Sequence, residues 1–214
     1  MMDKHGFLFR AARKVKRLLF PPPSAEELRL RKQEADYEFL TRHGVETRPG
    51  YVTLYGKPSI HMEPGARIIL EDGVVLISNS EYNWAGINHP VILSAEKGAE
   101  IILHKGVGLS GSSIVAVEHI EIGEGTMLGA NTNVYDTDFH PLTAQERLNQ
   151  KSIHDAPHAP VNIGKNCWIA SNVTILKGVY LGDNVVVSSM SLVNKGTPDN
   201  VLIGGIPAKI LKEI

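Results

Sequence analysis

The stretch IGKNCW IASNVT ILKGVY LGDNVV VSSMSL V, residues 163–193, decides the fold. Set out in sixes, it opens each group on an aliphatic side chain: Ile163, Ile169, Ile175, Leu181, Val187 and Val193. An α-helix wants an apolar residue every three or four positions, and a half-buried strand wants every second one. A strict six fits a coil of short flat sides, each six residues long, with the first residue pointing inward. Cys167, Val173, Val179, Val185 and Ser191 form a second apolar or small set, four residues after each guide position. Gly164 and Gly182 follow two guide positions, where a corner is expected to need backbone freedom. A β-sandwich is the alternative, but its turns vary in length and would not keep six guide positions in one phase.

Upstream, Ile122, Leu128 and Val134 keep the register, with Ile114, Ile120, Thr126 and Thr132 as their companion set. Leu103, Leu109 and Val115 keep the spacing in a shifted frame, and Leu70 and Leu76 are again six apart. The step from Val134 to Ile163 is 29 residues, which is not a multiple of six. The break, residues 135–160, carries Asp136, Asp138, His140, His154 and His158 with few aliphatics. Long excursions from a regular scaffold are where function tends to sit. Within this one, Thr143 is expected to cap a helical turn with Glu146 as its reciprocal partner.

The sequence divides into an N-terminal helical extension (1–45), a coil (46–203) with the loop 135–160, and a C-terminal tail (204–214). Residues 1–20 oppose six basic side chains to Asp3 alone, and Leu8, Ala11, Val15, Leu18 and Leu19 fall on the other face. This basic amphipathic helix, ended by Pro21–Pro23, suits either an anionic membrane surface or packing on the protein's own fold. Ser24 with Glu27 reads as the cap of a second, polar helix running to about His43, suited to covering a coil end or sitting at a subunit contact. Residues 48–64 read as an irregular or short-stranded entry to the coil. Val201–Ile203 reads as a strand, Gly204–Pro207 as a tight turn, and Ala208–Ile214 as a short terminal helix or tail.

The chain has 214 residues, 43% hydrophobic and 21% charged, as in a soluble globular protein. A formal net charge of −1 argues against nucleic acid as partner. A single cysteine excludes an intrachain disulfide. No secretory signal or spanning run is evident, so the cytoplasm is the expected location, with the inner membrane face if residues 1–20 bind lipid.

Three motifs carry a family resemblance: Phe139-His140-Pro141-Leu142, Asn166-Cys167-Trp168-Ile169 and Gly204-Gly205-Ile206-Pro207-Ala208-Lys209. Over residues 116–212 the chain resembles the hexapeptide-repeat acyltransferases, in the branch of galactoside, maltose, xenobiotic and surface-polysaccharide O-acetyltransferases. The resemblance implies a mainly β fold, a left-handed parallel β-helix with N-terminal helices and a protruding catalytic loop. It also implies a homotrimer with sites between subunits. The implied reaction moves an acetyl group from acetyl-CoA to a hydroxyl of a carbohydrate acceptor in a ternary complex, with no metal required. A sugar hydroxyl is a poor nucleophile, so a base must take its proton, and the family's His-Pro histidine maps to His140. Asp136 and Asp138 are expected to orient the imidazole, bind the acceptor or form turns, with turn formation favoured for Asp136. Asn131 and Asn133 contact the acceptor or simply tolerate the corner.

For the cofactor, Trp168 matches a tryptophan bordering the family's active site, and Ser171 and Ser189 match positions that touch coenzyme A. Asn194 and Lys195 align with a Thr-Lys pair, the asparagine being a departure. Lys209 and Lys212 align with frequent arginines and can meet phosphate only as point charges. Cys167 is expected inward, packed as a small apolar group rather than acting as a nucleophile. The acceptor pocket is expected to draw on Asn83, Trp84 and residues 110–113. Three rival readings share the scaffold: a zinc-dependent carbonic anhydrase using three of His104, His119, His140, His154 and His158, a serine acetyltransferase, and a non-catalytic scaffold.

Overall fold

The computed structural model describes residues 24–48 and 50–214. Residues 1–20, with their expected basic helix, lie outside the described residues. The chain divides into two units, Met1–Ala35 and Asp36–Ile214. Helix α1, Ala25–Arg42, spans the division. Ser24 caps it as expected: Glu27 N–H donates to Ser24 Oγ at 3.1 Å, and Glu27 Oε2 accepts from Ser24 N–H at 2.6 Å. The last turns of α1 belong to the larger unit, where Leu40 is fully buried in the core and Asp36 accepts the Leu54 N–H. That end of the helix covers the opening coil.

From Glu46 onward the chain winds through three parallel sheets, here called A, B and C, taking one strand in each per coil. This is the three-sided prism of the left-handed β-helix. The guide positions stack as continuous columns. Sheet A aligns Leu70, Leu103, Ile122, Ile163 and Leu181. Sheet B aligns Leu54, Leu76, Leu109, Leu128, Ile169, Val187 and Ile203. Sheet C aligns Ile60, Leu93, Ile114, Val134, Ile175 and Val193. Nearly all are fully buried, and each such side chain removed from water stabilises the coil by roughly 1.5–3 kcal/mol. The companion set is also inward: Thr126, Thr132, Cys167, Val173, Val179, Val185 and Ser191 are buried. The inward hydroxyls are satisfied by the next coil, Thr126 donating to Gly164 O and Thr132 to Ala170 O.

Three expectations need correction. Ile114, placed in the companion set, is itself a guide residue of sheet C, and Val115 faces outward. Leu109 to Ile114 is five residues, so one position is lost there and the frame shifts. Gly164 and Gly182 do not supply corner freedom. The left-handed residues are Asn166 and Asn184, two places further on, with φ of 54° and 56°. The glycines are required by close approach, since a Cβ on Gly164 would stand 2.4 Å from Gly182 O. Residues 48–64 form the short-stranded entry expected of them, with strands Thr53–Tyr55 and Ser59–Met62. The C-terminus is neither helix nor loose tail. Val201–Gly205 completes sheet B, and after a turn at Ile206-Pro207 the strand Ala208–Glu213 pairs antiparallel with it. The final strand closes the open edge of sheet B.

A second excursion interrupts the coil. Between Leu76 of sheet B and Leu93 of sheet C the chain leaves the prism over residues 78–91, re-entering it at the buried Val91. The catalytic-loop candidate, residues 135–160, leaves the edge between sheets C and A.

Candidate active site

The His140 loop is held at its neck. Thr137 bridges His158 in antiparallel fashion, Asp138 N–H donates to Pro157 O at 3.0 Å, and Ala159 N–H donates to Asp136 O at 2.8 Å. Asp136 is 0% exposed and accepts the N–H groups of Val117, Glu118 and His119 at 2.7–2.9 Å. Burial pushes its carboxyl pKa up, against the lowering effect of those three donors. Asp136 therefore clamps a coil corner, the turn role expected of it. Asp138 turns its carboxylate to Lys177 Nζ, at 2.7 and 2.8 Å.

Phe139, directly before His140, sits at φ 64°, a left-handed conformation uncommon for a bulky side chain. It is held by Thr137 Oγ1, which accepts its N–H, and by an edge contact with Tyr135 at 5.1 Å. The bend presents the exposed His140 at the outer side of the loop. Its Nδ1 lies 2.8 Å from Gln150 Oε1. Gln150 ends helix α2, Ala144–Asn149, whose start carries the expected Thr143–Glu146 capping box. The amide of Gln150 donates through Nε2 to Phe139 O at 2.9 Å and Ser152 O at 3.0 Å. With Nε2 committed to two carbonyls, Oε1 is an acceptor, so the imidazole proton belongs on Nδ1. Nε2 of His140 then carries the lone pair. Arg147 donates to Pro141 O and Leu142 O and fixes the strand of loop that follows. Gln150 and Arg147 were not read from the sequence. Their only signal was the cap that starts their helix. A concavity of about 630 Å³, lined by Leu142, Glu146, Gln150, Lys151 and Asp155 among others, lies within the loop.

The other candidates fall into separate groups. Trp168, 55% exposed, stands on the outer face of sheet B in register with Met127 on one side and Val186 on the other. The ladder continues through Leu202 to Lys212. Neighbouring strands lie about 4.8 Å apart, so Trp168 and Lys212 mark a largely apolar track of about 14 Å. Ser171 and Ser189 occupy successive corners between sheets B and C, Met190 N–H donating to Ser171 O at 3.1 Å. Lys209 pairs with Gly204 beside that edge. Asn194 and Lys195 instead follow Val193 at the C–A edge, the side from which the His140 loop leaves. In a triangular section the C–A edge lies across the prism from sheet B. One protomer thus separates Trp168, Ser171, Ser189, Lys209 and Lys212 from His140, Asn194 and Lys195.

Asn131 is a corner residue at φ 59°, and its side chain binds the 78–91 excursion through Asn88 N–H and Gly86 O. It is thus a clamp rather than a free acceptor contact. Asn133 lies on the outer face of sheet C and accepts the Tyr135 hydroxyl at 3.0 Å. Cys167 is inward and buried, and burial raises its thiol pKa, which matches the core role. His104 lies between Glu71 and Glu121, and His119 between Glu100 and Glu121. Among the described residues no three His, Cys, Asp or Glu side chains gather as a metal-holding group. No helix among them is long and apolar enough to cross a membrane.

Residues 160–195 match the family model described as bacterial transferase hexapeptide (six repeats). Over 95 residues the chain is 35% identical to the galactoside O-acetyltransferase of Escherichia coli K12, covering 44% of each chain. Over 104 residues it is 30% identical to a putative lipopolysaccharide biosynthesis O-acetyl transferase of the same organism, covering 47% of this chain and 53% of that one. The chain spans about half the length of these curated relatives. A maltose O-acetyltransferase structure from Clostridium difficile 630 superposes with a TM-score of 0.54 at 23% identity, covering 96% of this chain and 85% of that one, so the two share the fold.

Proposed function

Because the chain belongs to the hexapeptide-repeat acetyltransferase family, in its galactoside, maltose and polysaccharide O-acetyltransferase branch, we propose that it transfers an acetyl group from acetyl-CoA to a hydroxyl of a sugar or glycan. The observation that carries this reading is His140, exposed on a braced loop with its Nδ1 proton held by Gln150. The lone pair on Nε2 takes the acceptor O–H proton as that oxygen attacks the thioester carbon. A C–O bond forms, the C–S bond breaks, and the imidazolium returns its proton to the departing sulfur. Holding Nδ1–H against Gln150 Oε1 steadies the imidazolium as it forms.

The sheet B face suits the cofactor. Met127, Trp168, Val186 and Leu202 offer an apolar floor for the pantetheine arm, and Lys209 and Lys212 meet phosphate at its end. Since a single protomer sets that face across the prism from His140, the proposal requires a second copy. A cyclic homotrimer brings the C–A edge of one protomer to sheet B of the next.

Two measurements test this. His140→Ala should abolish acetyl-CoA turnover with an accepted sugar, and near-parental rates would remove His140 from the base role. Co-refolding equal amounts of His140→Ala and Trp168→Ala chains should restore about a quarter of parental activity, since random mixing leaves that share of shared sites intact in a closed ring. No recovery would place each site within one protomer.

A further inference from the structure

The three outer faces of the prism differ in chemistry. The strands of sheet A present Arg67, Glu100, His119 and Glu121. Those of sheet B are largely apolar. Sheet C presents hydroxyls, amides and aliphatics, with Ser59, Ile92, Ser113, Asn133, Thr174 and Leu192 in one register and His61, Ser94, Val115 and Tyr135 in the next. No outward strand position of sheet C is an acid, a lysine or an arginine.

Sheet C is also the only face among the described residues flanked by both excursions. The His140 loop leaves its far edge after Tyr135. The 78–91 excursion enters at its near edge and is tied upward along the coil. Gly111 donates to Ile77 O, and Ile87 and the His89 carbonyl press so closely on Gly111 that a Cβ there would stand within 3 Å of them. One coil further, Asn131 binds Gly86 O and Asn88 N–H. These ties raise the excursion from its own coil to the coil whose strand, Asn133–Tyr135, launches the His140 loop. Both loops therefore stand at one level. From Asn131 to Tyr135 the strand runs four residues, about 13 Å.

The excursion carries Trp84, 99% exposed, two residues from the Gly86 anchor. A fully exposed tryptophan on a pinned loop is an unusual use of apolar surface. Beside it Tyr82 stands half-exposed and packs on Tyr55 at 4.9 Å, and Asn83 braces the turn by accepting Ala85 N–H.

We propose that the outer face of sheet C is a glycan trench, with one sugar ring stacked on Trp84 and the acetylated ring held at His140. A pyranose offers an apolar ring face to the indole and hydroxyls to the neutral floor at Ser94 and Asn133. A peptide or polyanion would meet no charged partner on that floor. The span of the trench fits an acceptor of two or more rings, so length as well as identity governs recognition. This subsite rests on the proposed glycan acetylation, and it extends that reading from a reacting hydroxyl to a bound chain.

The chain has two tryptophans, Trp84 and Trp168. Full-length protein labelled with 5-fluorotryptophan gives two ¹⁹F resonances, assigned by Trp84→Phe. Titration with maltotriose, lactose and chitotriose should move the Trp84 resonance for at least one of them, and acetyl-CoA should move the Trp168 resonance. For an accepted trisaccharide, Trp84→Ala should raise the acceptor KM roughly tenfold, the loss of one aromatic contact. The acetyl-CoA KM should stay unchanged, and a monosaccharide acceptor should lose much less. Turnover of an oligosaccharide with an unmoved Trp84 resonance and an unchanged acceptor KM overturns the trench while leaving the acetyltransferase reading intact. A moved Trp84 resonance without acetyl transfer supports the trench and overturns the reaction. Silence in both overturns both.

Discussion

Replacing Gln150 isolates the contribution of the group behind His140. Gln150→Leu keeps the side-chain volume and removes the acceptor at 2.8 Å from Nδ1. In the resting enzyme that hydrogen bond is neutral and contributes about 0.5–1.5 kcal/mol. When the imidazole has taken the acceptor proton, the same bond serves a cation and contributes about 1.5–3 kcal/mol. The difference falls wholly on the transition state. The variant also frees the carbonyls of Phe139 and Ser152, which loosens the bend that presents the ring. Together these amount to about 2–3 kcal/mol, a fall in kcat of roughly 30- to 150-fold. The acetyl-CoA KM should hold, because Gln150 bonds to the His140 ring and to loop carbonyls rather than to the side chains proposed for the cofactor. Gln150→Glu restores an acceptor and adds a charge that favours imidazolium. Its pH profile should therefore keep more of the plateau rate than Gln150→Leu while the acid limb moves to higher pH. Release of the coenzyme A thiol reports both, with little protein background because the sole cysteine is buried. A Gln150→Leu enzyme within threefold of parental kcat, or a Gln150→Glu profile superimposable on the parent, would refute the argument.

Further outcomes follow from the same geometry. Asp136→Ala strands three backbone donors at the loop root and should cost about 3 kcal/mol, seen as a lower urea midpoint, whereas a shift under 1 kcal/mol contradicts the clamp. Lys177→Met breaks a pair that is about 30% exposed, so its stability cost should be only about 1 kcal/mol, with kcat falling while the acetyl-CoA KM stays put. For His104, burial disfavours the charged ring, but the carboxylates of Glu121 and Glu71 outweigh it and raise the pKa above 6.5; the hydrogen bond to His104 in turn leads in lowering Glu121 below 4.5. The pair therefore stabilises between those limits, losing His104's share as pH rises through its raised value and Glu121's share as pH falls through its lowered one. Thermal melts of His104→Gln should lie furthest below the parent near pH 5–6 and converge on it in alkali, and a pH-independent gap would remove the ladder from the stability account. Deleting residues 1–20 should reduce retention on phosphatidylserine vesicles if that basic stretch touches membrane, and equal retention assigns it a packing role.

The fold was legible where the coil is uninterrupted and illegible where it is not. From Ile163 to Val193 every side is six residues, so guide residues of three different sheets fall into one arithmetic series. Upstream, the five-residue step from Leu109 to Ile114 moves the frame, and the excursion 78–91 removes any fixed spacing between Leu76 and Leu93. The strands there are as regular as the later ones, but registry between coils is set by backbone pairing, which tolerates insertions at corners that a periodicity cannot follow. The C-terminal strand escaped for a related reason. Ala208–Glu213 pairs antiparallel with Val201–Gly205, and a residue-by-residue reading of AKILKE does not show the partner that makes it a strand.

The site divides along the same line. His140 could be proposed from the sequence because a histidine beside proline in an off-period loop is local in sequence. Its partner Gln150 was not, because ten residues and a helix intervene, and an amide is as ordinary in a surface loop as at a catalytic base. Asn131 was readable as a corner and unreadable as a clamp, since its partners Gly86 and Asn88 lie more than forty residues earlier. These two amides share a logic. The coil is rigid by stacking and offers only flat faces, so chemistry must be brought by chain that leaves it. Chain that leaves must be tied back, and the side chains of Gln150 and Asn131 tie each excursion by bonding to backbone or ring groups that no hydrophobic pattern records. A glycan that runs between the two loops would thus be recognised by what the repeat excludes, and acetylated at the point where the repeat resumes.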